Sequence, residues 1–222
     1  METRQARSQD KYVLLTGVGG EVRPGLGLSA GVEYFRTDSE SGASQTEGDI
    51  RLSLALRPRN SSWTVFDRLD YKLEDCSDSE SRDESRRLVN NLNLNYQADE
   101  RLQVAAQYGA KYVLDTFDGD AYSGYTDLIG LETRYDLTAK WDLGLHASVL
   151  HSWSAGQIDY RTGVSVGYAM FQNTWISLGY NFTGFRDEDF SGADYTAQGP
   201  FIKFRLKFDQ QSVKQMVAWF KR

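Results

Sequence analysis

Two histidines, His146 and His151, are the chain's whole supply of imidazole. Both fall in one stretch, 141–153, that also carries Ser148 and Ser152. Serine and histidine are the residue types of a hydrolytic pair, in which the imidazole takes the proton of the attacking hydroxyl. That chemistry needs the two side chains within hydrogen-bonding reach and a third group to orient the base. Here the serines stand two and six residues beyond His146 on one segment. No His-Glu-x-x-His zinc motif occurs, and no nucleophile elbow is assigned. The chain is therefore not expected to be an enzyme, no catalytic residue is named, and His146 is read as a hydrogen-bonded filler.

Carboxylates are the other concentrated chemistry. Glu74, Asp75, Asp78, Glu80, Asp83 and Glu84 crowd one segment, with further groups at 115–120 and 187–189. Oxygen-rich loops can hold calcium, but none of these follows the full EF-hand spacing. No metal or cofactor is expected, and the acidic loops are read as solvated surface. Cys76, in the first of them, is the only cysteine, so no internal disulfide exists. A net charge of -6 argues against nucleic acid as a partner.

The elements that position these residues follow from alternation. In 141–153 the odd positions are Trp141, Leu143, Leu145, Ala147, Val149, His151 and Trp153, and the even positions are small or polar. Period-two patterning marks a β-strand. Twelve steps at about 3.3 Å, tilted by about 45°, rise roughly 28 Å, the height of a bilayer's hydrocarbon core. The same pattern recurs at 12–22, 28–37, 47–57, 63–74, 86–97, 102–115, 125–137, 158–171, 174–187 and 200–208, giving eleven strands. Asp67 and Asn90 are the polar exceptions on the apolar face. Short turns are expected to share one end and mostly longer polar loops the other, the asymmetry of an outer-membrane barrel. Only three prolines suit a sheet-rich chain, and no apolar run is long enough for a membrane helix.

The expected fold is all-β: an antiparallel up-and-down transmembrane β-barrel with eleven visible strands, twelve when complete, because bacterial single-chain barrels are even-numbered. Residues 1–11 read as a polar segment or truncated first strand, 12–209 as the barrel, and 210–222 as an amphipathic tail. In that tail Val213, Met216, Val217 and Phe220 recur at helical spacing. The polar 1–10 segment lacks a signal-peptide apolar core, so the chain is expected to be a mature or truncated piece of a precursor. A soluble antiparallel barrel or sandwich is the alternative; it would bury the apolar face inward.

Strand parity turns a set of charges toward the lumen. Arg51, Arg57, Arg68, Asp70, Lys72 and Lys111 come from the first half, with Glu33. Glu132, Arg134, Arg161, Lys203, Arg205 and Lys207 come from the second, with Asp159. Positive charge dominates, which fits either an anion-favouring pore or a closing network of ion pairs; closure is favoured for so small a barrel. Aromatic belts are expected at both lipid interfaces. Trp63, Trp141 and Trp175 lie beside short turns, and Tyr34, Tyr71, Tyr125, Trp153 and Tyr160 lie toward the loops.

Three segments near the end, Gly179-Tyr-Asn-Phe182, Gly184-Phe-Arg-Asp-Glu-Asp-Phe190 and Tyr195-Thr-Ala-Gln-Gly-Pro200, carry a resemblance. Residues 176–208 resemble the closing hairpin of the C-terminal outer-membrane β-barrel domain of large, repeat-containing proteobacterial surface proteins. Phe208 is similar to the aromatic end by which such barrels are recognised for assembly. The resemblance implies a membrane anchor or translocator at the cell surface of a Gram-negative bacterium, with a periplasmic C-terminus. Its partners would be the lipid bilayer, the outer-membrane assembly machinery and lipopolysaccharide. The competing expectation is a small porin-like channel whose basic lumen passes small anionic solutes.

Overall fold

The computed structural model describes residues 9–39, 42–78, 81–171, 174–190 and 198–206. Eleven strands form one sheet in chain order, each paired antiparallel with the next. They are β1 (Gln9–Arg23), β2 (Leu26–Ser39), β3 (Ser44–Leu56), β4 (Trp63–Ser77), β5 (Arg82–Gln97) and β6 (Leu102–Phe117). The rest are β7 (Asp120–Asp136), β8 (Trp141–Ser152), β9 (Gln157–Phe171), β10 (Thr174–Thr183) and β11 (Gly199–Leu206). The expected up-and-down β-barrel of eleven strands is the observed one. Lys207 and the amphipathic tail at 210–222 lie outside the described residues.

The sheet curls on itself. One cavity is lined at once by Thr64 of β4, Gln103 of β6, Glu132 of β7 and Arg205 of β11. Among the described residues β1 and β11 share no ladder. Both are odd-numbered staves of a meander, so they run in the same direction, and an antiparallel seam between them would require one more strand. The polar start reaches less far than expected, because β1 begins at Gln9.

The apolar face points outward. Leu52, Ile129, Leu131, Leu145, Leu178 and Ile202 are all at least half exposed, whereas among the described residues the buried hydrophobic ones are only Val89, Leu128, Leu150, Phe185 and Phe190. A soluble sandwich would have the reverse distribution. The two outward polar exceptions satisfy each other: the Asn90 amide donates to Asp67 Oδ1 at 2.8 Å.

Three expectations need correction. First, the acidic stretch 75–85 is mostly hairpin. β4 runs on to Ser77 and β5 starts at Arg82, held by Arg82–Asp75 and Arg87–Glu74 ion pairs of 2.6 Å each. Cross-strand charge pairing lets polar residues continue a ladder that hydropathy alone would end. Second, the loop expected at 116–124 shrinks to two residues. Asp118 and Gly119 have φ of 50° and 90°, the left-handed pair that a tight two-residue hairpin demands. Third, connection length does not separate the two rims. Connections at 24–25, 57–62, 98–101 and 137–140 mark one rim, those at 118–119 and 153–156 mark the other, and only 184–198 is long. We call these the turn rim and the loop rim.

Candidate functional site: a plugged lumen above a basic vestibule

The lumen-facing charges separate into two halves. In the loop-rim half cations are matched by acids. Arg51 reaches Asp49 at 2.7 Å, Asp70 at 3.1 Å and Glu33 at 3.8 Å, and Arg68 meets the other oxygen of Asp70 at 2.9 Å. Asp70 is almost fully buried between the two guanidinium groups. A carboxylate held this way is tolerated only because both oxygens are engaged.

The long connection between β10 and β11 completes this half. The strand expected over 174–187 ends at Thr183, and residues 184–190 turn into the lumen. The Lys111 ammonium pairs with Asp187 and, at 3.3 Å, with Asp189. Lys72 donates to Asp189 at 2.6 Å, and the Asn91 amide donates to the Asp189 carbonyl at 3.0 Å. Phe190 is fully buried and Phe185 nearly so, against Val89, Leu128 and Leu150. Lys111 also lies over the Phe190 ring, 5.3 Å from its centre.

Register explains why the ring fits there. Asn91, Gly109, Leu128 and Leu150 are successive partners across β5, β6, β7 and β8, and so form one row. A Cβ at Gly109 would fall 2.5 Å from a Phe190 ring carbon. Glycine in this strand interior marks a close approach rather than a weak point. The segment is a plug seated on a glycine notch, with its acids turned to lumen lysines. The expectation that 187–189 is solvated surface is overturned. Asp187 and Asp189 have cationic partners inside the barrel, and desolvation is offset by those pairs; Glu188 between them stays exposed beside Arg186.

The turn-rim half is different. A cavity of about 910 Å3 is lined by Arg57, Arg134, Lys203 and Arg205 with Glu132, Phe66 and Trp175. A neighbouring cavity of about 570 Å3 shares Glu132, Arg134, Lys203 and Arg205 and adds Arg161, Asp142 and His146. Arg134 is tied to Gln103 at 2.7 Å and lies 3.9 Å from Asp136. Among the described residues Arg57, Lys203 and Arg205 enter no ion pair. Arg57, Glu132, Arg134, Arg161, Lys203 and Arg205 line these two cavities, while Arg51, Arg68, Asp70, Lys72 and Lys111 belong to the neutralised half.

His146 hydrogen-bonds through Nε2 to Asn181 at 2.8 Å and meets the edge of the Phe201 ring at 5.9 Å. Ser152 pairs with Thr126, and His151 packs on Trp153. Gly-x-Ser-x-Gly does occur, at 27–31 and 163–167. Both copies lie inside strands, β2 and β9, without the strand-to-helix turn that exposes a nucleophile.

Trp63 stacks on Tyr96 with ring centres 4.3 Å apart, and Trp141 meets Tyr168 in a tilted contact at 4.7 Å; both tryptophans are half exposed at the turn rim. Tyr71, Trp153 and Tyr160 are exposed toward the loop rim. Tyr125 hydrogen-bonds Tyr108 at 3.2 Å, and Tyr34 is half-buried. Trp175 instead lines the large cavity. It shares parity with the inward Ser177 and Asn181, and the ladder to β9 shifts between Thr174 and Trp175. Its place beside a turn carried no information about its face.

No protein-family model matches the chain, and no curated protein does. Among solved structures, a Pseudomonas aeruginosa FadL homologue superposes with a TM-score of 0.50 at 11% identity. It covers 89% of this chain, and the chain spans 65% of that protein's length. The ferric citrate transporter FecA in its unliganded form gives 0.49 at 10% identity, covering 82% of this chain and 42% of FecA. What this chain shares with the FadL homologue is the fold, an outer-membrane type of β-barrel.

Proposed function

We propose that this chain is a closed β-barrel of a Gram-negative outer membrane that serves as the membrane anchor of a larger surface protein. The turn rim and C-terminus face the periplasm. The outward apolar face and the paired aromatic rings Trp63–Tyr96 and Trp141–Tyr168 at one rim support the bilayer location. The observation that carries closure is the 184–190 plug, with Phe190 fully buried and Asp187 and Asp189 paired to lumen lysines. An anchor must hold the membrane seal, and a lumen filled by its own loop does so. The resemblance of residues 176–208 to surface-protein barrels covers the plug sequence itself and supports the same role.

A channel for small anions is the second reading, favoured by the surplus of cations at the turn rim. Conductance across a planar bilayer separates the two. The anchor reading expects a silent barrel at neutral pH, and steady anion-selective steps from the unaltered protein would overturn it.

A further inference from the structure

The cavity at the turn rim and its neighbour, which reaches to Asn181 and Gly199 at the loop-side ends of β10 and β11, meet along a shared wall of Glu132, Arg134, Lys203 and Arg205. Together they collect five cations against two carboxylates, Glu132 and Asp142. The loop-rim half brings its own acids to its cations; here Arg134 lies 3.9 Å from Asp136, while Arg57, Lys203 and Arg205 enter no ion pair among the described residues. Arg205 Nη1 is buried and has no hydrogen-bond partner among the described residues. A buried guanidinium donor without an acceptor costs free energy. Cations gathered around one cavity also repel one another unless an anion sits between them.

We propose that this vestibule is a binding site for a small multivalent phosphoryl anion, entering from the turn rim beneath the plug. The proposal goes beyond the anchor reading, since a sealed barrel needs no ligand. The surplus of three positive charges calls for a multivalent anion rather than a lone carboxylate. Guanidinium groups match tetrahedral oxyanions through paired N–H donors, and Arg134 and Arg205 stand on the shared wall. The cavity volumes lie in the range that encloses small molecules. Phe66 and Trp175 give the larger cavity an aromatic side, against which a flat ring attached to the phosphoryl group would lie.

The test uses the folded full chain in a zwitterionic detergent, titrated with pyrophosphate and tripolyphosphate and, in parallel, with tricarballylate as a tricarboxylate. Isothermal titration is expected to show saturable one-to-one binding of the phosphoryl anions, weaker at higher salt, with tricarballylate at least tenfold weaker. Lys203→Gln, an exposed edge-strand change that leaves the ladder intact, should weaken binding several-fold. The double variant Arg134→Gln with Arg205→Gln should weaken it at least tenfold. Arg82→Gln, at the loop rim, should leave it unchanged. Each variant is first checked for the heat-dependent gel shift of a folded barrel, and if the double variant lacks it the Lys203 result decides. No saturation, equal loss in Arg82→Gln, full affinity in Lys203→Gln, or equal affinity for tricarballylate would each overturn the proposal. Conductance is recorded in simple salt without the phosphoryl anions or tricarballylate, so failure here leaves the anchor reading standing.

Discussion

Gly109 and Phe190 meet at the point where the plug is most sensitive. Burying a phenylalanine is worth about 1.5–3 kcal/mol, and the ring lies where a Cβ on residue 109 would be. Gly109→Val is expected to unseat the ring and shift the plug toward the open state by roughly tenfold or more. The readout is new single-channel openings together with faster amide exchange over 184–190; unchanged exchange there would refute the notch. Asp189 sets the pH response. Burial penalises its charge, but the hydrogen bond from Lys72 and the attraction of Lys111 and Lys72 outweigh that, holding its carboxyl below the ordinary range. A depressed pKa means the plug's stabilisation is complete above the ordinary aspartate pKa of about 3.9 and is lost as pH falls through the lowered value. The barrel should therefore stay silent from neutral to mildly acidic pH and open only in strong acid, whereas Asp189→Asn should flicker open at neutral pH. Openings in the unaltered protein near pH 6 would contradict this assignment. Parity was enough to turn Lys72 and Lys111 inward, but not to find their partners. Val89, Leu128 and Leu150, apolar residues on an otherwise polar face, were the available signal. They name a docking row only once register sets Gly109 between Asn91 and Leu128.

At the scale of the strand, period-two alternation was enough to count eleven staves, because each has one apolar face and one polar face. It misplaced strand ends for a physical reason. Hydrophobic alternation stops where the bilayer would stop, whereas the ladder continues through charged hairpins such as 75–84, held by cross-strand pairs. The 118–119 turn was legible as Asp-Gly, yet the acids around it read as loop. β1 is the weakest stave. Val13 and Leu15 on one face and Leu14 and Val18 on the other are all more than half exposed, and β1 pairs only with β2. An edge strand with one ladder and little side-chain cover opens at low cost. Amide exchange in β1 and β11 is expected to run at least tenfold faster than in β5, β6 and β7. Equal protection would mean that another strand covers the seam.

The whole molecule is inside-out, and this decides how its surface responds to charge. On a soluble protein an exposed leucine near mid-strand accepts arginine within about 0.5 kcal/mol. On a lipid-facing stave the same change costs about 2–4 kcal/mol near the bilayer midplane. Leu145 is the natural probe: it is well exposed, lies inside β8, and stands between Thr133 and Val164 on the neighbouring strands. Leu145→Arg is expected to destabilise the barrel by about 2–4 kcal/mol in liposomes, measured as a lower midpoint of urea unfolding. Gln107→Arg, on the lumen side, should change the midpoint little, because the lumen is polar. The contrast does not depend on what the barrel anchors or binds, since it tests only which face meets lipid. A Leu145→Arg midpoint equal to that of the unaltered protein would place this face in water and return the chain to the soluble reading.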